Sequence, residues 1–158
     1  MAVEILNATV RRRSSLFDGN IPTSGQMEAT LEVPAAASVN STFTMFRIPA
    51  GARILRGSII QFDDLASTGS PTLDIGLKAV DGNITTDVDA LNDGIDCFTA
   101  AASAPMVKDH ANWGKRAWEF VSGQTTDPKG FVDVIVTVLD AAANTGGTLS
   151  ATLVFETD

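Results

Sequence analysis

Three segments of the chain alternate apolar and polar residues with a period of two. In residues 27–33, 72–80 and 148–156 every odd-numbered position is apolar, and most of the even-numbered positions are polar or small. Successive side chains of a β-strand point to opposite faces, so this alternation is typical of strands with one buried face. The pattern therefore predicts three half-buried strands.

Other segments are apolar at consecutive positions and predict more deeply buried strands. Residues 131–139, 54–62 and 43–48 combine Val, Ile, Leu and Phe on both faces. β-branched and aromatic side chains suit a pleated sheet better than a helix. Two shorter strands are predicted at 95–100 and 116–121.

Turn residues separate these segments. Asp81-Gly82 supplies the residue types of a tight hairpin turn, and 127–130 reads Asp-Pro-Lys-Gly, with proline second and glycine fourth. Further breaks fall at 67–71 and 144–147. One short helix is predicted over 87–93, with Thr86 as its N-cap and Gly94 ending it.

About eight strands with frequent turns predict an all-β fold, an antiparallel β-sandwich of jelly-roll-like type. No strand–helix–strand alternation is present, which argues against a nucleotide-binding α/β fold. We expect residues 27–158 to form the sandwich and residues 1–26 to form an extended N-terminal arm. Val3, Ile5 and Leu6 could add an edge strand to the sandwich.

The length and charge of the chain limit the number of domains and the classes of partner that we expect. With 158 residues the chain matches one domain, and its formal charge of −8 is unevenly distributed. Residues 1–56 hold 6 basic and 4 acidic side chains, whereas residues 57–158 hold 5 and 15. An acidic body repels phosphate backbones, so we expect no nucleic-acid binding. The basic triplet Arg11, Arg12 and Arg13 is suited to an acidic partner surface.

Neither a signal peptide nor a long apolar span is apparent in the sequence. The opening residues lack an extended apolar stretch, and no run approaches the ~18 apolar residues that a membrane helix needs. We expect a soluble protein made in the cytoplasm, with no membrane partner. The single cysteine, Cys97, lies in an apolar run and is expected to be a small core residue.

The residues of common catalytic mechanisms are missing. The only histidine, His110, lies in a polar stretch, and no nucleophile elbow or phosphate-binding loop occurs. Asp63 and Asp64 are adjacent on a predicted strand end and would point to opposite faces. The sequence therefore predicts no catalytic residue and no enzyme activity.

One acidic segment raises the question of calcium. Its oxygen-bearing residues fail the EF-hand pattern, because Leu91 takes the third ligand position and the glycine is displaced. A solvated, helix-capping acidic loop is the alternative. We predict no metal and no cofactor. The residues concerned are Asp87, Asp89, Asn92, Asp93 and Asp96.

Aromatic residues give little support to carbohydrate binding. The chain has no tyrosine and two tryptophans, Trp113 and Trp118. Trp118 falls in a predicted strand and is expected in the core. Trp113 is a single candidate for an exposed aromatic face.

One stretch of the sequence has a recognisable arrangement of strands and turns. Residues 46–57 read FRIPAGARILRG and lead into the apolar stretch 58–62. After the turn at 67–71, residues 72–77 read TLDIGL, and the turn Asp81-Gly82 follows. This arrangement resembles a segment of small bacteriophage virion proteins, in particular head decoration (cement) proteins. The likeness covers residues 43–83. It implies a β-sandwich, often jelly-roll-like, that forms a trimer or another symmetric oligomer on a capsid exterior, without catalytic residues.

The resemblance implies a non-enzymatic virion structural protein that binds the outside of a phage capsid and stabilises it. Its partners would be the major capsid protein and copies of itself, as a homotrimer, and it would be located on the virion surface. A tail or head-fibre base component and a carbohydrate- or surface-binding β-sandwich remain open. The expected partner-binding residues are Arg11, Arg12, Arg13, Phe17 and Trp113.

Overall fold

The computed structural model describes residues 5–14 and 23–157, and its regular structure is almost entirely β. Two 3₁₀ helices, His110–Asn112 and Ala117–Phe120, lie in the long connection before the tenth strand. The described strands are β1 Ile5–Asn7, β2 Thr9–Ser14, β3 Thr23–Val33, β4 Thr42–Pro49, β5 Arg53–Ile54, β6 Ile59–Phe62, β7 Thr72–Ala79, β8 Asp87–Asp96, β9 Ala102–Pro105, β10 Phe131–Leu139 and β11 Gly147–Thr157.

The strands form two sheets that pack face to face. The first sheet has the order β1-β4-β10-β7-β8, and the second has β2-β3-β11-β6-β9, with β5 also paired to β11. Neighbouring strands are antiparallel except β1 and β4, which run parallel. The predicted all-β antiparallel sandwich is confirmed, with one parallel pair. Its described residues hold eleven strands rather than about eight. The N-terminal segment contributes two, one predicted strand is divided and β9 was not predicted, while the predicted strand at 116–121 is absent.

The alternating segments lie where their periodicity predicted. Leu149, Ala151 and Leu153 of β11 are at most 4% exposed and face the other sheet. On β10 the even-numbered valines, such as Val134 and Val136, belong to the same core. Burying an aliphatic side chain contributes about 1.5–3 kcal/mol, so the facing rows supply much of the stability.

The predicted helix over 87–93 is wrong: these residues belong to strand β8. Strand β8 takes its hydrogen bonds from β7, through two irregularities in register. A Cβ on Gly76 would collide with the backbone of Asp87 and Val88, so β8 lies directly against this position. The hydroxyl of Thr86 accepts a hydrogen bond from the Ala79 amide at 3.1 Å instead of capping a helix.

Three shorter predictions also need correction. The predicted strand at 54–62 is two strands, because the chain turns at Gly57, whose φ is +97°. The strand predicted at 95–100 ends at Asp96, where the carboxylate accepts the Phe98 amide at 2.8 Å and turns the chain. The segment 116–121 holds a 3₁₀ helix rather than a strand, since a helical turn satisfies its backbone locally.

The N-terminal segment joins both sheets. Ile5, Leu6 and Asn7 pair in parallel with the first residues of β4, and β2 then pairs with β3 in the other sheet. The predicted edge strand is therefore present at Ile5 and Leu6, while Val3 lies outside the described residues. The division between an arm at 1–26 and a domain at 27–158 stays a prediction.

Connections at the two ends of the sandwich differ in charge. Residues 50–58, 80–86 and 106–130 lie at one end, which we name the Phe131 end, and they include 6 of the 11 Lys and Arg residues. Residues 34–41, 63–71, 97–101 and 140–146 lie at the opposite end, named the Asp63 end, and contain neither Lys nor Arg. No helix among the described residues is long and apolar enough to cross a membrane.

Candidate interaction surface

Strand β1 covers only part of the edge of β4. Its pairing stops at Asn7 opposite Thr44, and the next amide, that of Ala8, donates to the Thr44 carbonyl at 2.8 Å. The chain then continues in the second sheet as β2. Among the described residues, no strand pairs with 45–49 of β4 on this side. Within the described residues, this half of β4 is therefore an edge of the first sheet.

Two cavities adjoin this edge, and Arg47 lines both. One of about 320 Å³ lies beside Asn7, Ala8 and the centre of β4. The other, of about 210 Å³, is mainly apolar and is lined by Met27, Arg47, Ile48, Pro49, Phe131 and Phe155. We name the open edge and its two cavities the β4 notch.

The guanidinium of Arg47 is held at the notch by Asp133 on the neighbouring strand. Its Nε and one terminal nitrogen donate to the two carboxylate oxygens at 2.7 and 3.0 Å. The Arg47 side chain is 58% exposed, and that of Asp133 is 10% exposed. The hydrogen bond to Asp133 raises the pKa of Arg47. Such a bidentate pair fixes the direction of the guanidinium while leaving it accessible to a partner.

Aromatic rings border the apolar cavity. Phe131 is 52% exposed, more than any other described large hydrophobic residue. Phe155 is partly buried, and a Cβ on Gly25 would lie 2.7 Å from its ring, so glycine makes room for that ring. Sequence reasoning missed Phe131, because its place at the start of an apolar strand predicted burial.

The structure places the predicted partner-binding residues at separate positions. Arg11, Arg12 and Arg13 lie in the edge strand β2, opposite Glu28, Met27 and Gln26 in register. Their side chains, and the whole of Phe17, lie outside what the structure describes.

Trp113 does not present a free aromatic face. It follows the first 3₁₀ helix, is partly buried and packs against the core. Trp118 is also partly buried against the core, so its expected core position is supported, although it lies in a 3₁₀ helix. The adjoining residue Gly114 is hydrogen-bonded to Ile54 at 2.9 Å, which ties this connection to the second sheet.

The residues considered for calcium serve separate local contacts. The Asn92 amide donates to the Pro105 carbonyl at 2.8 Å, Asp93 pairs with Lys108, and Asp96 accepts the Phe98 amide. In the part of the chain that the structure describes, no three metal-ligating groups converge. Asp87 and Asp89 do lie together, and the hydrogen bond between their side chains raises the pKa of Asp89.

Carboxylates at the Asp63 end fix loops. Asp63 accepts the Thr148 amide at 2.7 Å, and Asp140 accepts the Thr72 hydroxyl at 2.7 Å. The hydroxyl of Thr99 lowers the pKa of Asp96 by a hydrogen bond. These acidic side chains therefore hold the loops in place.

The single cysteine is part of the core, as expected. Cys97 is fully buried, and its thiol donates to the Pro71 carbonyl at 3.3 Å. Burial raises the pKa of this thiol to about 12. At neutral pH the thiol is protonated and unreactive.

Comparisons with known proteins show the same fold in phage capsids. A chain in the capsid of Ralstonia phage GP4 superimposes with a TM-score of 0.62 at 17% identity, covering 92% of this chain and 91% of that one. A chain in the capsid asymmetric unit of cyanophage Pam1 gives 0.56 at 14% identity, covering 94% of each. No protein family model and no curated protein sequence matches.

Proposed function

We propose that this protein is a non-enzymatic structural protein of a bacteriophage virion, which binds the outside of the capsid and stabilises it. The observation that carries the proposal is the shared fold, which extends over more than nine-tenths of chains in two phage capsids. The sequence resemblance of residues 43–83 to head decoration proteins supports it independently.

The described side chains support a structural role. Potentially reactive groups are used to hold the chain together: the Cys97 thiol is in the core, and the carboxylates of Asp63 and Asp140 bind loop amides and hydroxyls. Loops held in this way are organised before a partner arrives, which lowers the entropy cost of binding.

The proposed partners are the major capsid protein and further copies of the chain, arranged as a homotrimer. Closed symmetric oligomers are the common arrangement of such subunits. We propose that the segment 1–26 extends to a neighbouring subunit, with Arg11, Arg12, Arg13 and Phe17 in the contact. Trp113 would contribute through the connection at the Phe131 end.

Binding to shells tests the proposal directly. Purified protein is mixed with capsid shells of the encoding phage that lack it, and sedimentation separates bound from free chains. We expect saturable binding and shells that withstand higher temperature. Binding to isolated tails or fibres instead would favour the tail or head-fibre alternative, and binding to neither would contradict a virion role.

A charge-reversal variant locates the contact. Replacing Arg11, Arg12 and Arg13 by Glu should weaken shell binding at least tenfold, since each lost contact costs about 1 kcal/mol. The matched control reverses three cations in the body of the domain, Lys78, Lys115 and Lys129. Deletion is a poorer test, because β1 and β2 pair with both sheets.

Carbohydrate binding is less well supported. A sugar-binding sandwich would present a flat aromatic face, and Trp113 is partly buried against the core. Glycan screening with a Trp113→Ala variant tests this second candidate.

A further inference from the structure

We infer that copies of this chain bind one another through oppositely charged ends, with an arginine cluster at the Phe131 end of one copy against the Asp63 end of the next. The arginine cluster consists of Arg53, Arg56 and Arg116. This inference rests on the proposed function and deepens it, because it assigns the contact between copies that a homotrimer requires.

The tertiary structure brings the three arginines together from two segments of the chain. Arg53 and Arg116 are partners in an antiparallel bridge, so their side chains lie side by side on one face. The Gly114 amide donates to the Ile54 carbonyl at 2.9 Å and holds the two segments together. Arg56 follows in the turn between β5 and β6, and it is exposed.

Arg56 carries the charge of the cluster that a partner can reach. Two carboxylates adjoin the other arginines: Glu156 lies opposite Arg53 in register, and Glu119 accepts the Arg116 amide at 2.6 Å. Within the described chain, no carboxylate forms an ion pair with Arg56. An exposed guanidinium without an internal partner is suited to a carboxylate of another molecule.

The Asp63 end carries the opposite charge. Its connections 34–41, 63–71, 97–101 and 140–146 contain three carboxylates and neither Lys nor Arg. Glu32 and Asp63 lie on either side of Thr148, which donates its hydroxyl and its amide to them at 2.7 Å each. Asp64 is adjacent and exposed. Three carboxylates are therefore held close together at this end.

The two charged regions cannot meet within one molecule. Arg53 lies opposite Glu156 of β11, whereas Asp63 is hydrogen-bonded to Thr148 of the same strand. These positions of β11 are 8 residues apart, which corresponds to about 26 Å in a strand. A contact between the regions therefore joins two copies. Because the two surfaces differ, it is a heterologous contact, which can close into a ring such as a trimer.

The charge of the whole chain favours a second copy over a nucleic acid as the partner. The formal charge is −8, so most of the surface would repel a phosphate backbone that approached the arginine cluster. Every copy carries both the cluster and the acidic end. Self-association therefore needs no other component.

Charge exchange tests the contact, measured by sedimentation velocity of the full chain without capsid. Arg56→Glu and Asp64→Arg should each weaken self-association at least about tenfold, because a like charge then faces the partner. The double variant Arg56→Glu/Asp64→Arg has opposite charges again and the wild-type net charge. It should associate within about twofold of the wild type.

A matched control separates the contact from the effect of net charge. Arg56→Glu/Asp109→Arg introduces the same residue types, but Asp109 is an exposed carboxylate at the Phe131 end. Its association should stay as weak as that of Arg56→Glu. Circular dichroism and urea unfolding verify that each variant is folded.

Salt dependence provides a second measurement that needs no variant. Contacts between exposed charges are screened by salt, so raising the ionic strength from about 0.05 to 0.5 M should weaken wild-type association severalfold. Association that does not change with salt would contradict a contact through charged ends.

Three further results would overturn the inference. They are a wild-type chain that stays monomeric up to about 1 mM, single variants that associate as the wild type does, and a double variant that associates no better than its control. These measurements use no capsid, so their failure would leave the shell-binding test of the proposed function standing.

Discussion

Arg47 and Asp133 form a bidentate ion pair across strands β4 and β10, beside an edge that has no strand partner within the described residues. The carboxylate is nearly buried while the guanidinium is mostly exposed. The pair thus connects β10, the middle strand of the first sheet, to the notch. Its two members are expected to respond differently to substitution.

Arg47→Ala should lower the stability of the chain, because it leaves the Asp133 carboxylate buried without its strongest hydrogen-bond donor. Adding Asp133→Ala should cost less than it does in the wild-type chain, since the unpaired charge is then removed. Urea unfolding of the two single variants and the double variant measures this coupling. Additive losses would show that the pair contributes no coupling energy.

Gly76→Ala should destabilise the chain by about 1–3 kcal/mol, because the new methyl group meets the backbone of β8. Gly51→Ala is the matched control: its new Cβ would lie 3.6 Å from the nearest atom, a carboxylate oxygen of Asp127. The control should change the free energy of unfolding by less than about 0.5 kcal/mol. Equal losses would contradict the close approach of β8.

Leu153→Ala and Val154→Ala test which face of β11 is buried. Leu153 is 0% exposed, whereas Val154 lies on the outer face and is partly exposed. The first substitution should cost about 2–5 kcal/mol and the second less than about 1 kcal/mol. Denaturant unfolding of both variants measures the two losses of stability. A larger loss for Val154→Ala than for Leu153→Ala would contradict the assignment of Leu153 to the buried face.

Asp89→Asn should make the chain more stable than the wild type at neutral pH. The hydrogen bond with Asp87, followed by burial, raises the pKa of Asp89 above 3.8. The folded chain thus holds this proton more tightly, and the associated stability is lost as pH rises through the raised pKa. Unfolding at pH 7 and at about pH 3 should show an advantage that disappears in acid.

Asp96→Asn provides the opposite comparison. The hydrogen bond from Thr99 lowers the pKa of Asp96. The stability that this provides is therefore present above pH 3.8 and is lost as pH falls through the lowered pKa. This variant should be less stable than the wild type at neutral pH, and the deficit should shrink in acid. A common pH response of the two variants would contradict both assignments.

The alternation of apolar and polar residues was sufficient to predict three strands, β3, β7 and β11. That signal is local, because side chains of any strand alternate between its faces whatever its neighbours are. The turn at Asp81-Gly82 was equally predictable: both residues have positive φ, which asparagine, aspartate and glycine tolerate best.

Strand β8 was not predictable in this way. The spacing of apolar residues in 87–93 is compatible with a helix. Their strand conformation depends on pairing with β7, which the residues of this segment do not by themselves indicate. Tertiary pairing overrides weak local preference in such segments. The 3₁₀ helix at Ala117–Phe120 has a different reason, since its turn satisfies backbone groups locally through hydrogen bonds such as that from the Glu119 amide to the Arg116 carbonyl.

The sequence by itself determined an all-β chain with an acidic body, a basic N-terminal region and a resemblance to phage virion proteins. Only the tertiary structure decided where the β4 notch lies. The notch is formed where the chain crosses between sheets at Ala8, which leaves Arg47 and Phe131 beside an edge without a strand partner among the described residues. Where a strand loses its partner depends on the path of another segment, and no local pattern records that path.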